Sequence, residues 1–221
     1  MFYIWGMKYI IGTGYHYKSE WDAKFFEIWQ KNTERYSKDY YCISTTSPAP
    51  CENNVFTRHN VGHVGDLIDK NLSGLCGWSS SVLALSLIAY NCGADFIYKE
   101  SDCLWFGDVI GRMYSDVGNK QMVIGRGMTS HPYMPCSQST FLIKHSFILN
   151  FVHLYLSLPI DDKDHLPEHK FYELYSAFPE VFSILTFGID RERPINWNAD
   201  VWFCQQWTEE ELNEAKTRNL I

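Results

Sequence analysis

The sequence predicts an α/β layer sandwich in which helices flank a central, mainly parallel mixed sheet. Two observations favour this fold class: strand-like and helix-like segments alternate through the first half of the chain, and the strand-like runs end at turns or polar residues. The length of 221 residues suits a single domain with its own core. We therefore expect one domain that spans residues 1–221.

The first predicted strand is MKYIIGTG, which ends in a turn that contains Gly12 and Gly14. Ser19 and Asp22 then have the spacing of a capping box, and apolar residues follow at helical intervals. DYYCISTT predicts a second strand, which stops at SPAP. The chain therefore begins with a strand, a turn, a helix and a further strand.

The middle of the chain continues this alternation. GWSSSVLALSLIAYNCGAD predicts a largely apolar helix with Gly93 as its stop, and DFIYKES predicts a buried strand directly after it. Further on, KQMVIGRG and QSTFLIKHSFILNFVHLYLSL supply another strand and a helix.

Two more helices are predicted near the end of the chain. PEHKFYELYSAF has Pro167 near its start, and WTEEELNEAK has Thr208 as a cap for Glu211. Between them, the segment from Gly188 to Trp207 is predicted to be a long ordered loop, because it is too aromatic to be disordered.

Composition excludes several classes of protein. The net charge of −7 argues against a nucleic-acid partner, which would require an excess of basic residues. The seven cysteines are odd in number and form no CxxC pair, so we expect reduced thiols in a cytoplasmic protein. The apolar start is interrupted by Gly6 and Lys8, and no segment is long enough for a transmembrane span.

Two acidic residues, Glu100 and Asp102, follow the buried strand in YKESDCLWFGD. Acidic residues separated by one other residue are common by chance, so only the location of this pair is informative. Ligands of open α/β sheets collect at the carboxyl ends of the strands. The two carboxylates are therefore predicted to lie at a ligand site.

A first strand that ends in a small-residue turn, a long helix that feeds a buried strand, and an acidic-x-acidic signature at its end resemble the GT-A class of nucleotide-sugar-dependent glycosyltransferases, of the compact single-domain type. FIYKESDCLWFGD resembles the DxD region of that class, with Glu in place of the first Asp. The resemblance implies a GT-A-like three-layer sandwich, with a nucleotide and metal half at about residues 8–107 and an acceptor half at about 108–221.

The same resemblance implies transfer of a sugar from a nucleotide-sugar, with a UDP-sugar expected, to a hydroxyl of a glycan or glycoconjugate acceptor. Carboxylate ligands select Mn²⁺ or Mg²⁺, which can bridge the two phosphates of the leaving group. By the pattern of the class, Asp102 would bind the metal directly, and Glu100 would reach the ribose or a metal-bound water.

Nucleotide contacts are predicted in three places by this resemblance. The turn at Thr13, Gly14 and Tyr15 would bring backbone close to the base or ribose, although it could also be an ordinary turn. RHNVGHVGD would contact uridine or phosphate. The arginines of the late loop would meet the pyrophosphate as the loop closes, although an arginine pair is often only a solvated surface. The residues in these two segments are Arg58, Asn60, His63, Arg191 and Arg193.

An inverting enzyme of this class needs a carboxylate base, and DDKDHLPEHKFYE is the richest source of one. Glu168 is the first candidate and Asp164 the second, followed by Glu173, although acids at a helix start also serve as caps. The last fifty residues contain no histidine, which favours inversion over a retaining mechanism with a late histidine ligand.

Two other functions remain open from the sequence. A nucleotidyltransferase that acts on sugar phosphates would show a glycine-rich loop with a basic residue after the first strand, and GTGYHYK lacks that pattern. A non-catalytic sugar-binding module would use its aromatic residues without a metal site.

Overall fold

The computed structural model describes residues 8–45, 47–57, 61–127, 136–159 and 161–221. Its strands are β1 Tyr9–Tyr15, β2 Tyr40–Ser44, β3 Asn54–Phe56, β4 Asp95–Lys99, β5 Leu104–Phe106, β6 Met122–Arg126, β7 Cys136–Ile143, β8 Phe182–Ile184 and β9 Trp202–Cys204. Its α-helices are α1 Glu20–Glu34, α2 Val64–Asp69, α3 Gly77–Asn91, α4 Val109–Val117, α5 Ile148–Ser157, α6 Pro167–Ala177 and α7 Glu209–Thr217.

The central sheet of the described chain has seven strands in the order β3-β2-β1-β4-β7-β6-β8. The first four of these are mutually parallel, as are β6 and β8, whereas β7 runs antiparallel to both of its neighbours. The carboxyl ends of β1, β2 and β4 therefore lie at the same edge as the start of β7. The predicted mainly parallel mixed sheet is confirmed.

Helices cover both faces of the sheet and form two apolar clusters. One cluster joins the sheet to α1, α4 and α7, and the other joins it to α3, α5 and α6. Successive side chains of β4 point to opposite faces of the sheet and so join different clusters. Ile97 packs into the first cluster, whereas Phe96 and Tyr98 pack into the second. This is the three-layer sandwich that the family resemblance implies.

The predicted helix starts are confirmed in α1 and α7. Asp22 Oδ2 accepts hydrogen bonds from the backbone N–H and the hydroxyl of Ser19, at 2.7 and 2.8 Å. Thr208 and Glu211 form the reciprocal pair at the start of α7, with distances of 2.9 and 3.2 Å. Each box satisfies backbone donors that the first helical turn leaves without an intrahelical partner.

Some elements are absent from the sequence-based prediction. The helix α4 follows Asp108, whose carboxylate accepts from the backbone N–H of Gly111 at 3.1 Å. The late loop is largely irregular, as predicted, but it contains β9, which pairs antiparallel with β5. Its tryptophans pack together against the core, where the Trp202 ring stacks on Phe106 with ring centroids 4.1 Å apart.

Two predictions about composition can be compared with the described residues. All seven cysteines lie among them and are free thiols. Within the same ranges, no helix combines the length and the apolar character needed to cross a membrane.

The start of α3 lies in close contact with the loop before α2. The backbone N–H of Gly77 donates to the carbonyl oxygen of Gly62 at 2.6 Å, and a Cβ atom on Gly77 would overlap that carbonyl group. Only glycine therefore allows the two backbones to approach this closely.

We predict that Gly77→Ala destabilises the protein by more than about 2 kcal/mol, because backbone atoms must separate to admit the methyl group. Urea denaturation measures this change. Gly65→Ala is the matched control, since its Cβ would meet only the His63 side chain at 3.2 Å, and it should change stability by less than about 1 kcal/mol. Equal stability of Gly77→Ala and the parent would contradict the tight contact.

Candidate active site

A cleft of about 480 Å³ opens at the sheet edge where β1 and β4 end and β7 begins. Both helical layers contribute to its walls, and the late loop closes one side. Its lining includes Gly14, Tyr15, His16, His63, Trp78, Ser81, Glu100, Asp102, Gln138, Glu168, Arg191, Gln205 and Gln206. A smaller pocket of about 130 Å³ shares part of this lining and extends to Trp207.

Glu100 and Asp102 lie on a tight turn that follows β4. The backbone N–H of Glu100 donates to Ser139 on β7 at 2.9 Å, and the carbonyl of Glu100 accepts from the N–H of Cys103 at 2.9 Å. Both side chains reach the cleft. Glu100 Oε2 and Asp102 Oδ1 are buried and have no hydrogen-bond partner among the residues that the structure describes.

The electrostatic environment disfavours the ionised form of both carboxyls. Burial raises the pKa of Glu100 well above its usual value, and the nearby charges of Asp102, Asp190 and Glu168 raise it further. Burial, followed by Asp190, raises the pKa of Asp102 to about 6. Arg191 opposes both pKa shifts. When ionised, Glu100 and Asp102 therefore experience repulsion from nearby carboxylates, and a bound cation would reduce it.

The residues present fit a divalent cation. Within the described ranges, no three His, Cys, Asp or Glu side chains are grouped so that they could hold a metal ion. Mg²⁺ sites that also bind phosphates commonly use only one or two carboxylates, and substrate and water supply the remaining ligands. Glu100 and Asp102, each with one oxygen that has no hydrogen-bond partner among the described residues, match that donor set.

The predicted nucleotide contacts are only partly brought together. Gly14 and Tyr15 line the cleft, whereas Thr13 is fully buried outside its lining and donates from Oγ1 to the carbonyl of Gly14 at 3.2 Å. His63 lines the cleft and caps α2, where its Nδ1 accepts from the N–H of Gly65 at 3.0 Å. Arg58 and Asn60 lie outside the described residues.

The two arginines of the late loop differ in position. Arg191 lines the cleft with a left-handed backbone conformation, φ 58°, and its Nε lies 3.7 Å from Asp190 Oδ2. Arg193 is absent from the lining, because its guanidinium pairs with Glu211 and donates to the carbonyls of Gln205 and Gln206 at 3.1 and 3.0 Å. Arg193 thus joins the late loop to α7.

The candidate bases also differ in position. Glu168 lies in the first turn of α6, is 9% exposed and lines the cleft. Asp164 is exposed and outside the lining, and its backbone N–H donates to Asp161 Oδ1 at 3.3 Å. Glu173 lies one helical turn beyond His169 and pairs with its Nε2 at 3.2 Å.

Several cleft residues carry no signal that sequence reasoning identified. Gln138 and Gln205 are 6% and 1% exposed, and each Oε1 lacks a hydrogen-bond partner in the described part of the chain. His16 follows β1, and its Nδ1 lies 3.2 Å from Thr45 Oγ1. Only the position of Gln138 on β7 and of His16 after β1, both at the cleft edge of the sheet, could have indicated them.

No protein-family model matches this sequence, and no curated protein does. Solved structures nevertheless share its fold. A glycosyltransferase involved in the glycosylation of the major capsid of PBCV-1 is 10% identical with a TM-score of 0.56, and the match covers 97% of this chain and 100% of that one. The galactosyltransferase LgtC, solved with donor and acceptor sugar analogs, is 10% identical with a TM-score of 0.51, and the match covers 95% and 93%. The chain therefore has the GT-A-like fold that the sequence resemblance implies.

We predict that Asp102→Asn stabilises the metal-free protein by about 1–2 kcal/mol at pH 7.5, after allowance for screening by solvent in the cleft. The pKa of Asp102 is raised from 3.8 to about 6, so the ionised carboxylate disfavours the folded state above that pH. The gain should shrink as the pH falls from 6 to 4, because the parent carboxyl then becomes protonated.

Denaturant titrations at several pH values measure this effect. Asp69→Asn, at an exposed position outside the cleft, is the control and should change stability by less than about 0.5 kcal/mol. A less stable Asp102→Asn protein at pH 7.5 would contradict the electrostatic description of the site.

Proposed function

We propose that this protein is a metal-dependent glycosyltransferase that transfers a sugar from a nucleotide-sugar, a UDP-sugar, to a hydroxyl of a glycan acceptor. One observation carries the proposal: Glu100 and Asp102 line a cleft at the carboxyl end of β4, and each has a buried carboxylate oxygen without a hydrogen-bond partner in the described part of the chain. The GT-A-like fold supports it, because ligands of open α/β sheets bind at this edge.

The carboxylates and Arg191 would act on the diphosphate of the donor. Asp102 would hold Mn²⁺ or Mg²⁺ directly, and Glu100 would bind a metal-bound water or the ribose. When bound, the cation supplies positive charge that stabilises the departing diphosphate. Arg191 lines the same cleft and would add a second positive charge beside the phosphates.

The nucleoside would lie between the end of β1 and the loop before α2. Gly14 has no side chain to occupy this space, and Tyr15, His16 and His63 provide ring surfaces and polar atoms. The rings of His16 and His63 are 6.3 Å apart. A flat base and a ribose hydroxyl match such a surface, whereas the diphosphate would extend towards Asp102.

The sugar would occupy the part of the cleft lined by Gln138 and Gln205. Their buried carbonyl oxygens accept hydrogen bonds, and sugar hydroxyls donate them. LgtC was solved with analogs of both a donor and an acceptor sugar, which supports a donor and acceptor pair on this fold. The other similar glycosyltransferase is involved in the glycosylation of the major capsid of PBCV-1, which supports a glycoconjugate as acceptor.

Glu168 would be the general base of an inverting transfer. Its charge contributes to the raised pKa of Glu100, so the two carboxyls share one electrostatic environment. The acceptor oxygen forms a bond to the anomeric carbon as the bond from that carbon to the diphosphate breaks. The hydroxyl proton passes to Glu168, and the diphosphate leaves with the bonding electron pair.

We predict that UDP binds in a Mn²⁺-dependent manner and more tightly than GDP or CMP. Asp102→Asn should weaken this binding at least about tenfold, because the amide preserves the shape but loses the charge that holds the cation. Titration calorimetry with and without Mn²⁺ measures both effects, with Asp69→Asn as control. Equal affinity of Asp102→Asn and the parent would refute the metal assignment, and tighter binding of GDP would refute the uridine preference.

We predict that Glu168→Gln lowers the rate of sugar transfer by about 10²- to 10⁴-fold while UDP binding stays near the parent value, because the amide cannot accept the proton. A screen of nucleotide-sugars for Mn²⁺-dependent hydrolysis first identifies the donor. Glu173→Gln, on the same helix but outside the cleft lining, is the matched control. Similar rates for both variants would exclude Glu168 as the base.

A further inference from the structure

A buried polar cluster, formed by Asn32, Thr33 and Lys99, lies beneath the turn that carries Glu100 and Asp102. These three residues are 2%, 0% and 0% exposed. Asn32 and Thr33 belong to the last turn of α1, and Lys99 ends β4. None of them is part of the cleft lining. The cluster therefore has no direct role in the proposed chemistry.

The side-chain amide of Asn32 joins both ends of the segment from Glu100 to Leu104. Its Oδ1 accepts from Lys99 Nζ at 2.6 Å and from the backbone N–H of Trp105 at 3.0 Å. Its Nδ2 donates to the carbonyl of Trp105 at 2.9 Å. One side chain on α1 thus fixes the residue before this segment to the residue after it.

Lys99 is held on several sides. Nζ donates a second hydrogen bond to Thr33 Oγ1 at 2.8 Å. The amine also lies 5.1 Å from the ring centroids of both Trp29 and Trp105. These contacts allow the amine little freedom, because two hydrogen-bond acceptors and two ring faces define one position for it.

We propose that Asn32 and Lys99 are positioning residues that set the separation and direction of the Glu100 and Asp102 carboxylates for the cation. This proposal rests on the proposed function. The bond from the N–H of Cys103 to Glu100 closes the turn internally, and the Asn32 network fixes the turn to the rigid α1. A bound ion requires its ligands within about 0.5 Å of the productive geometry.

A purely structural role would not require polar side chains at these positions. Apolar side chains of similar volume would fill the same space without the cost of burying an amine and an amide. A hydrogen-bonded network instead defines one geometry for the groups that it joins. The polar cluster is therefore suited to orient the turn, which begins directly after Lys99 in the chain.

The test compares four variants. Asn32→Leu removes all three amide hydrogen bonds, and Lys99→Met removes the amine but keeps an unbranched side chain. Asn32→Asp retains the oxygen that accepts from Lys99 and Trp105. Thr33→Val is the matched control, because Thr33 bonds Lys99 and the carbonyl of Trp29 but, among the described residues, makes no hydrogen bond to the segment from Glu100 to Leu104.

Two readouts are measured on each variant. Electron paramagnetic resonance of free Mn²⁺ with saturating UDP gives the apparent Mn²⁺ affinity, and amide hydrogen exchange without metal reports on the turn. We expect Asn32→Leu and Lys99→Met to weaken Mn²⁺ binding about tenfold and to speed exchange at Cys103. Thr33→Val should remain within about threefold of the parent in both, and Asn32→Asp should regain most of the Mn²⁺ affinity.

The outcomes separate this proposal from the proposed function. If the parent binds no Mn²⁺ in the presence of UDP, the proposed function is contradicted. Hydrogen exchange then tests the positioning role alone: faster exchange at Cys103 in Asn32→Leu than in the parent supports it, and equal exchange overturns it. Parent-like exchange and parent-like Mn²⁺ affinity in Asn32→Leu would overturn the positioning. If Asn32→Leu does not fold, Lys99→Met against Thr33→Val gives the same decision.

Discussion

The pairing of β4 with β1 on one side and β7 on the other is the constraint on which the rest of the structure depends. Parallel and antiparallel ladders hold β4 in the middle of the sheet. Its alternate side chains then supply both apolar clusters, and its end is fixed at the edge where β1 ends and β7 begins. The turn with Glu100 and Asp102 therefore lies at this edge and forms part of the cleft wall.

This location imposes an electrostatic cost that the surroundings reduce only in part. Arg191 lowers the pKa of both carboxyls, and the backbone N–H of Gln206 lowers that of Asp102. Asp190 and Glu168 act in the opposite direction for Glu100. Active sites are often less stable than their scaffold for this reason, since the groups that bind a ligand repel one another without it.

Sequence patterns predicted the elements that depend on local interactions. Residues close together in the sequence determine the capping boxes of α1 and α7 and the apolar run of β4. The structure confirms all three. The short strands β5 and β9 were missed because each has three residues and depends on a partner about a hundred positions away. Such pairings leave little periodicity in the sequence.

The residues of the candidate site also divide into those that a local pattern predicts and those that only the fold brings together. Glu100 and Asp102 could be found because they directly follow a recognisable strand, and the cleft contains both. Gln205 and Asp190 reach this region through the fold of the late loop, which no local pattern specifies. The different positions of Arg191 and Arg193 have the same origin, since Glu211 on α7 binds only the second. The roles of all these residues remain predictions.

The attachment of the late loop has a further consequence for binding. Pairing of β9 with β5, stacking of Trp202 on Phe106 and the contacts of Arg193 hold this loop through residues outside the cleft lining. A ligand that meets Gln205 and Gln206 thus encounters a wall that is already ordered, so little of the interaction free energy is lost to the conformational entropy of that segment.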